Sequence, residues 1–440
     1  MGYKVKAALL SMTALAVSMT ANNALAGGFA LREQSSYYQG MSFAGYGTTG
    51  PSISSMFWNP ATLTGAGEGW TIEAHNTIVV PKAEMDGTFT SNGVPLPPFG
   101  VVLPNSSVPS GDVGNDAFVP ASYVAYRLND RAVFGVSVNA PFGLSTKPTD
   151  NWAGQFYSRS SKAMSINVTP TIAYEVNDMI SVALGLQIQH FAVALKQAVP
   201  NVPGFPTAGL VGEDIGFGVT AGVTVKPFEG TEIGVGYRSM VMHELDGQQF
   251  SPAGIAPIRA RLKTPDMVNL SVKQRVTDAF RVLGTVEWTN WSRLKTPVVV
   301  PLVPGVASTP LPFNYDDGWF FSVGGEYDVT EDLTLRAGFA YEMSPIDESI
   351  RSTRLPDNDR YWFSAGASYE VFENLSLDLG YTYIHTADTK VNIVPGHQDY
   401  KPALGSYSSN VDANVNIVSA SMRYRWGGPH ARAEANARGY

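Results

Sequence analysis

The chain has 440 residues, of which 44% are hydrophobic and 15% charged, with a formal net charge of −8 and a mean hydropathy of −0.04. It contains no cysteine, which excludes disulfide and thiolate chemistry, and its acidic balance argues against a nucleic-acid partner. Beyond residue 26 no stretch supplies the roughly eighteen consecutive apolar residues that a membrane-spanning helix needs.

At the N-terminus, Lys4 and Lys6 precede an apolar run from Ala7 to about Met19, and Ala24-Leu25-Ala26 offers a small-residue cleavage site. The pattern predicts a secretory signal peptide over residues 1–26 and a mature chain that starts at Gly27. Cleavage removes two lysines and no acids, leaving 28 basic (30 − 2) against 38 acidic residues, a balance of −10. Residues 27–69 carry no strand pattern, yet hold Phe29, Tyr37, Tyr38, Met41, Phe43, Tyr46, Met56, Phe57 and Trp58. A disordered leader is poor in such residues. The economical reading is a plug folded inside a wider architecture; the alternative is a periplasmic leader with exposed aromatics.

From residue 70 to 426 the chain alternates apolar and polar residues across six short polar turns. These fall at Asn129-Asp130, Asn177-Asp178, Phe228-Glu229-Gly230, Thr277-Asp278, Thr330-Glu331-Asp332 and Phe372-Glu373-Asn374. Six hairpins and one further stretch at each end predict an all-β, antiparallel transmembrane barrel of about fourteen strands, with tight turns at one end and long loops at the other. Closure removes the two open edges such a sheet would otherwise expose. Leu333, Leu335, Ala337, Phe339 and Tyr341 alternate with Thr334 and Arg336, and Leu375, Leu377, Leu379, Tyr381 and Tyr383 with Ser376 and Asp378. The stretches are long enough to cross a tilted bilayer, and Tyr123, Tyr126, Tyr174, Trp288, Trp291, Trp319, Tyr361, Trp362, Tyr381 and Tyr383 gather near strand ends as an interfacial girdle. The outer face is therefore assigned to lipid, against the alternative of a large soluble β protein. Residues 427–440 read as a flexible periplasmic tail.

Seven motifs run in order along this frame. They are Gly28-Phe29-Ala30-Leu31, Trp58-Asn59-Pro60-Ala61-Thr62-Leu63, Asn139-Ala140-Pro141-Phe142-Gly143-Leu144, Thr264-Pro265-Asp266-Met267-Val268, Glu287-Trp288-Thr289-Asn290-Trp291-Ser292, Leu335-Arg336-Ala337-Gly338-Phe339-Ala340-Tyr341 and Arg354-Leu355-Pro356-Asp357-Asn358-Asp359-Arg360-Tyr361-Trp362. In these the chain resembles the FadL/TodX family of outer-membrane transporters for long-chain fatty acids and other hydrophobic compounds. The resemblance implies a fourteen-stranded barrel, an N-terminal hatch, and passive uptake with lateral release beside a kink in the third strand. It also implies an outer surface groove between the third and fourth outer loops. Here those loops, about Ala198–Asp214 and about Asp246–Ala260, read as short.

The candidate site follows from that reading. Asn59, Pro60 and Ala61 are assigned to hatch control, because Pro60 fixes φ and holds Asn59 extended. Phe29, Leu31, Phe43, Met56 and Phe57 would line an apolar ligand pocket, or equally form the plug's own core. Lys196, Arg336 and Arg360 are headgroup candidates for a carboxylate, with a lumen ion-pair network as the alternative. Gly135 in the lower half of the third strand and Pro141 at its upper end mark candidates for a bulge or gap and a lateral opening, since glycine weakens a ladder and proline cannot donate to one; an ordinary strand end with a Pro-led loop is the alternative. Apolar loop clusters at Val199–Val211, Ile255–Ile258 and Val298–Val303 are candidate external footholds. The partners expected are a long-chain fatty acid or other hydrophobic small molecule, outer-membrane lipid, and the barrel-assembly machinery during insertion. No cofactor is expected. The six histidines are scattered without metal-ligand spacing, and no Gly-x-Ser-x-Gly elbow occurs. A general diffusion porin is the main alternative, and a barrel hydrolase a weaker one.

Overall fold

The computed structural model describes residues 27–427. The signal peptide expected over residues 1–26, and the expected tail beyond residue 427, lie outside the described residues. Fourteen strands form the wall: β1 (Trp70–Ser91), β2 (Ala117–Arg127), β3 (Ala132–Asn139), β4 (Ser160–Asn177), β5 (Ile180–Ala198), β6 (Thr207–Phe228), β7 (Thr231–Arg238), β8 (Met267–Arg275), β9 (Phe280–Thr289), β10 (Gly318–Asp328), β11 (Leu333–Met343), β12 (Arg360–Phe372), β13 (Leu375–Thr386) and β14 (Gly405–Trp426). Each pairs antiparallel with its neighbours, and β14 closes the ring on β1 from Trp70↔Trp426 to Ser91↔Gly405. All six expected turns join consecutive strands at one end of the ring.

The wall is inside-out relative to a soluble barrel. On β5, Val182, Leu184 and Leu186 are exposed while Ser181, Gln187 and Gln189 are buried. On β11 and β13, Leu335, Phe339, Leu377, Leu379 and Tyr381 are exposed against buried Thr334, Arg336, Ser376 and Asp378. Apolar side chains on the outside and polar ones within are stable only against lipid. The girdle needs correction at three residues. Tyr123, Trp291 and Trp362 are buried inside. Tyr123 and Trp362 fall on the inward parity of β2 and β12, and Trp291 turns into the lumen on a short 3-10 turn, Trp291–Arg293, after β9.

Two expected loops are also strands. Met242–Ser251 and Gly254–Lys263 form a hairpin that continues the wall beyond β6 and β7, so the stretch 246–260 is its tip. Val298–Pro301 pairs onto the same hairpin. These strands stand above the apolar belt, and paired charges such as Arg259 Nε to Asp246 Oδ1 at 2.7 Å replace the apolar signal there.

Residues 27–48 and 52–64 are all buried or nearly so. Their side chains and amides bond to strands all round the ring. Arg32 reaches Glu287 on β9 at 2.6 Å, Ser42 reaches Ser364 on β12 at 2.8 Å, Thr64 reaches Ser181 on β5 at 3.1 Å, and Gln34 O accepts from Tyr123 Oη on β2 at 2.7 Å. Local structure is short: a helical turn Ser36–Gln39 capped by Ser35, and 3-10 turns Ile53–Phe57 and Pro60–Gly65 capped by Ser52 and Asn59. Such brief elements are unstable alone; burial among aromatic rings holds them, with Trp58 stacked on Tyr46 at 4.5 Å and edge-on to Phe57 at 5.1 Å.

Candidate functional site

The inner segment approaches the wall most closely where the wall has no side chains. A Cβ on Gly338 of β11 would overlap the Met41 backbone, one on Gly234 of β7 would overlap Gly47 O, and one on Gly222 of β6 would overlap Asn59 Oδ1. Gly366 faces Gly40, its Cα 2.8 Å from the position a Gly40 Cβ would take. All four wall glycines sit at inward positions, so the segment's backbone, and at Gly222 the Asn59 side-chain amide, can lie directly on the strand. Gly135 belongs to this set. A Cβ there would lie 2.7 Å from Leu63 Cδ2 and 3.2 Å from Met56 Cε. Its ladder is continuous, paired to Ala125 on one side and Thr171 on the other. The expected weakness at Gly135 is thus corrected: this glycine makes room for the plug-side residues rather than breaking the strand.

The interruption of β3 lies further up, at Ala140–Phe142, between the end of β3 and the short strand Gly143–Thr146. The N-terminal residues of the inner segment fill it. Leu31 N donates to Pro141 O at 2.8 Å, Gly143 N donates to Phe29 O at 2.9 Å, and Ala30 bridges Phe142. Gln34 completes the patch: its Oε1 accepts from Ala140 N at 3.2 Å and its Nε2 donates to Ala140 O at 2.8 Å. Buried backbone groups need partners, and here the inner segment supplies the ones the wall lacks.

The candidate residues separate into distinct places. Phe29 packs beneath the outer loops against Trp291 at 4.7 Å and Phe142 at 5.8 Å. Leu31, Phe43, Met56 and Phe57 sit in the inner cluster instead. Asn59 caps Ala61 N at 3.1 Å and donates to Gly47 O at 2.6 Å and to Val223 O of β6 at 3.1 Å. It therefore ties the segment to β6, while Leu63 of the same Pro60–Gly65 turn lies on Gly135 of β3. Pro60 occupies the first position of the turn, where its missing N–H costs nothing.

Of the headgroup candidates, Arg336 is bound to Glu326 at 3.1 Å, hydrogen-bonds Ser368, and lies over the Tyr37 ring at 3.6 Å. Arg360 bonds Asp357 and lies 3.9 Å from Glu342. It borders a cavity of about 10 Å³ with Leu355, Pro356 and Asn414, room for about one water. Both guanidiniums thus follow the ion-pair alternative. Lys196 is exposed and shares the outward parity of Leu184 and Leu186, so it faces away from the lumen. The three are not brought together.

Sequence reading missed the acids facing this N-terminal patch. Gly28 N donates to Asp357 Oδ2 at 3.1 Å, and Arg32 joins Glu287 to Glu342. Beside them Glu33 is 2% exposed, and its Oε2 has no hydrogen-bond partner among the described residues. Burial pushes the Glu33 carboxyl up to about 7, with Glu342 adding to the rise and the backbone, Arg32 and Arg360 opposing it. A carboxyl raised in the folded state favours that state below its unfolded value of 4.5, and the advantage is lost as pH climbs through about 7. Glu33→Gln should therefore leave the inner segment's amide protection unchanged at pH 4 and increase it at pH 8, by on the order of 3 kcal/mol. Equal protection at pH 8 would show that Glu33 ionises there without cost.

A family model described as outer membrane protein transport protein (OMPP1/FadL/TodX) matches residues 17–426. The long-chain fatty acid transport protein of Escherichia coli O6:H1 is 26% identical over 80% of this chain and 85% of its own length. Outer membrane protein P1 of Haemophilus influenzae is 27% identical over 80% and 84%. Among solved structures, a Pseudomonas aeruginosa FadL homologue superposes with a TM-score of 0.79 at 22% identity, covering 90% of this chain and 99% of that one. The Ralstonia pickettii toluene transporter TbuX gives 0.65 at 18%, covering 90% and 100%. With a closed, lipid-facing wall and a family match across nearly its whole length, the chain is an outer-membrane barrel that belongs to the OMPP1/FadL/TodX family of outer membrane transport proteins.

Proposed function

We propose that the chain carries long-chain fatty acids or similar hydrophobic molecules passively across the outer membrane, with residues 27–69 as a hatch. The observation that carries the reading is the interruption of β3 at Ala140–Phe142, whose ladder is completed by Phe29, Leu31 and Gln34. An apolar molecule gains nothing from a wet lumen, but a site beside Phe29, Phe142 and Trp291 offers it an apolar berth next to the wall. Displacing the Phe29–Leu31 stretch would then uncover a lateral path into lipid at the same place. The names of the relatives, a fatty-acid transport protein and a toluene transporter, fit cargo of that kind.

The test uses the chain's lack of cysteine. Ala30→Cys with Phe142→Cys places a pair across the antiparallel bridge. With the pair oxidised, uptake of a labelled long-chain fatty acid into cells matched for surface expression should stop, and reductant should restore it. Uptake that continues at the wild-type rate through the locked protein would rule out this exit. A general diffusion porin would keep its solute flux in either redox state.

A further inference from the structure

The outward rim above the apolar belt is not uniform round the barrel. On the β9–β12 side it is aromatic and acidic: Trp288 Nε1 donates to Asp317 Oδ2 at 2.9 Å, and Tyr341 Oη to Asp359. On the β4–β5 side it is cationic. Along β4 the outward positions run Val176, Tyr174, Ile172, Pro170, Val168, Ile166, Met164, Lys162. Ten residues separate Val176 from Ile166, about 25 Å of height for a tilted strand, which is the thickness of the apolar band. Lys162 stands two outward positions above that band, at the level of lipid headgroups.

Lys196 stands beside it. Register pairs Ser160 with Lys196 and Lys162 with Ala194, so the two lysines are diagonal neighbours on one outward face. The Lys196 stem runs over Gly209 of β6, where a Cβ would lie 3.1 Å from Lys196 Cγ and 2.7 Å from Phe250 Cζ. Arg159 joins through its N–H to Lys196 O at 2.8 Å, and its guanidinium bonds only neutral acceptors, Thr207 Oγ1 and Gln155 Oε1, both at 2.7 Å. Among the described residues none of Arg159, Lys162 and Lys196 has a carboxylate within 4.0 Å. The nearest outward acid on β6, Glu213, pairs with His190 at 3.3 Å.

We propose that Lys162, Lys196 and Arg159 form a docking site for a phosphate-bearing lipid of the outer leaflet. Cations without an ion-paired carboxylate, with Asp150 acting on Arg159 only at longer range, set at headgroup height over an apolar, lipid-facing wall, match a ligand with phosphate above and hydrocarbon below. The proposal rests on the lipid-facing wall and is independent of what passes through the lumen.

The intact protein in neutral detergent would be titrated with fluorescent diphosphorylated lipid A. Lys162→Gln with Lys196→Gln should weaken binding about thirty-fold at low salt, while Lys390→Gln, on the strand Thr389–Ile393, should leave it unchanged. Heat-modifiable migration would verify that each variant is folded, and the single variants should fall between. Equal affinity of wild type and double variant would overturn the proposal, as would equal binding of dephosphorylated lipid A. Displacement of the lipid by millimolar inorganic phosphate would overturn it too, by reducing the patch to an ion site.

Discussion

Valine at Gly234 and Gly338 together is expected to unseat the inner segment and turn a closed barrel into a conducting one. At both positions the group in the way is backbone, Gly47 O and the Met41 carbonyl, and backbone cannot swing aside as a side-chain tip can. Overpacking of this kind costs about 1–3 kcal/mol per site, and the segment's short turns give it little stability of its own to set against that. The ladder does not run through these side-chain positions, so strand pairing should survive. Planar-bilayer recordings would show large, steady currents from the double variant beside near-silent wild type, with far-ultraviolet dichroism unchanged. Gly284→Ala serves as control, since its Cβ would meet nothing nearer than Ser322 O at 3.6 Å. Silence from the valine variant would mean that the segment tolerates displacement without leaving the lumen and is not held by these glycine contacts.

The second large effect is expected on the outside of the wall. Leu184 on β5 and Leu379 on β13 are 64% and 61% exposed; Leu184 pairs with Ile172, near the middle of the outward apolar run from Val176 to Ile166 on β4, and Leu379 lies near the middle of β13. Arg at either should cost about 2–4 kcal/mol at the bilayer midplane. The two strands are not neighbours, so the double variant should lose about the sum. Tyr383→Arg, nearer the rim, should cost about 0–1 kcal/mol. Reversible folding into lipid vesicles, followed by denaturant titration, would read these differences. Equal costs at Leu379 and Tyr383 would contradict the placement of the belt.

The frame of this molecule was legible because both its signals are local. Each hairpin announces itself by a polar turn between alternating stretches, and a strand's parity fixes which residues face out. That parity already placed Lys196 outward with Leu184 and Leu186; its assignment as a lumen headgroup ligand ignored its own strand. The hairpin Met242–Lys263 was hidden because, above the membrane, charged pairs such as Arg261 with Glu244 take the place of apolar alternation. Trp362 was read as a girdle residue from its position near a strand end, when its even number set it inside with Ser364 and Ser368. Gly135 failed for a different reason. A single glycine in a strand reads as weakness, and only the closed ring shows Gly135, Gly222, Gly234 and Gly338 all facing the same inner segment.

If residues 27–69 act as the hatch proposed above, the stretch from Phe29 to Leu31 is a removable rung of the wall. Its two backbone bonds join one amide on each partner, Leu31 N and Gly143 N. Neither amide can meet water while the rung is in place, and both must do so when it leaves. Deuterium entering the two sites in step, in vesicles that hold no cargo at all, would count how often the unloaded barrel lets go of its own edge. On that reading the wall carries its own clock for the gate, readable at those two amides.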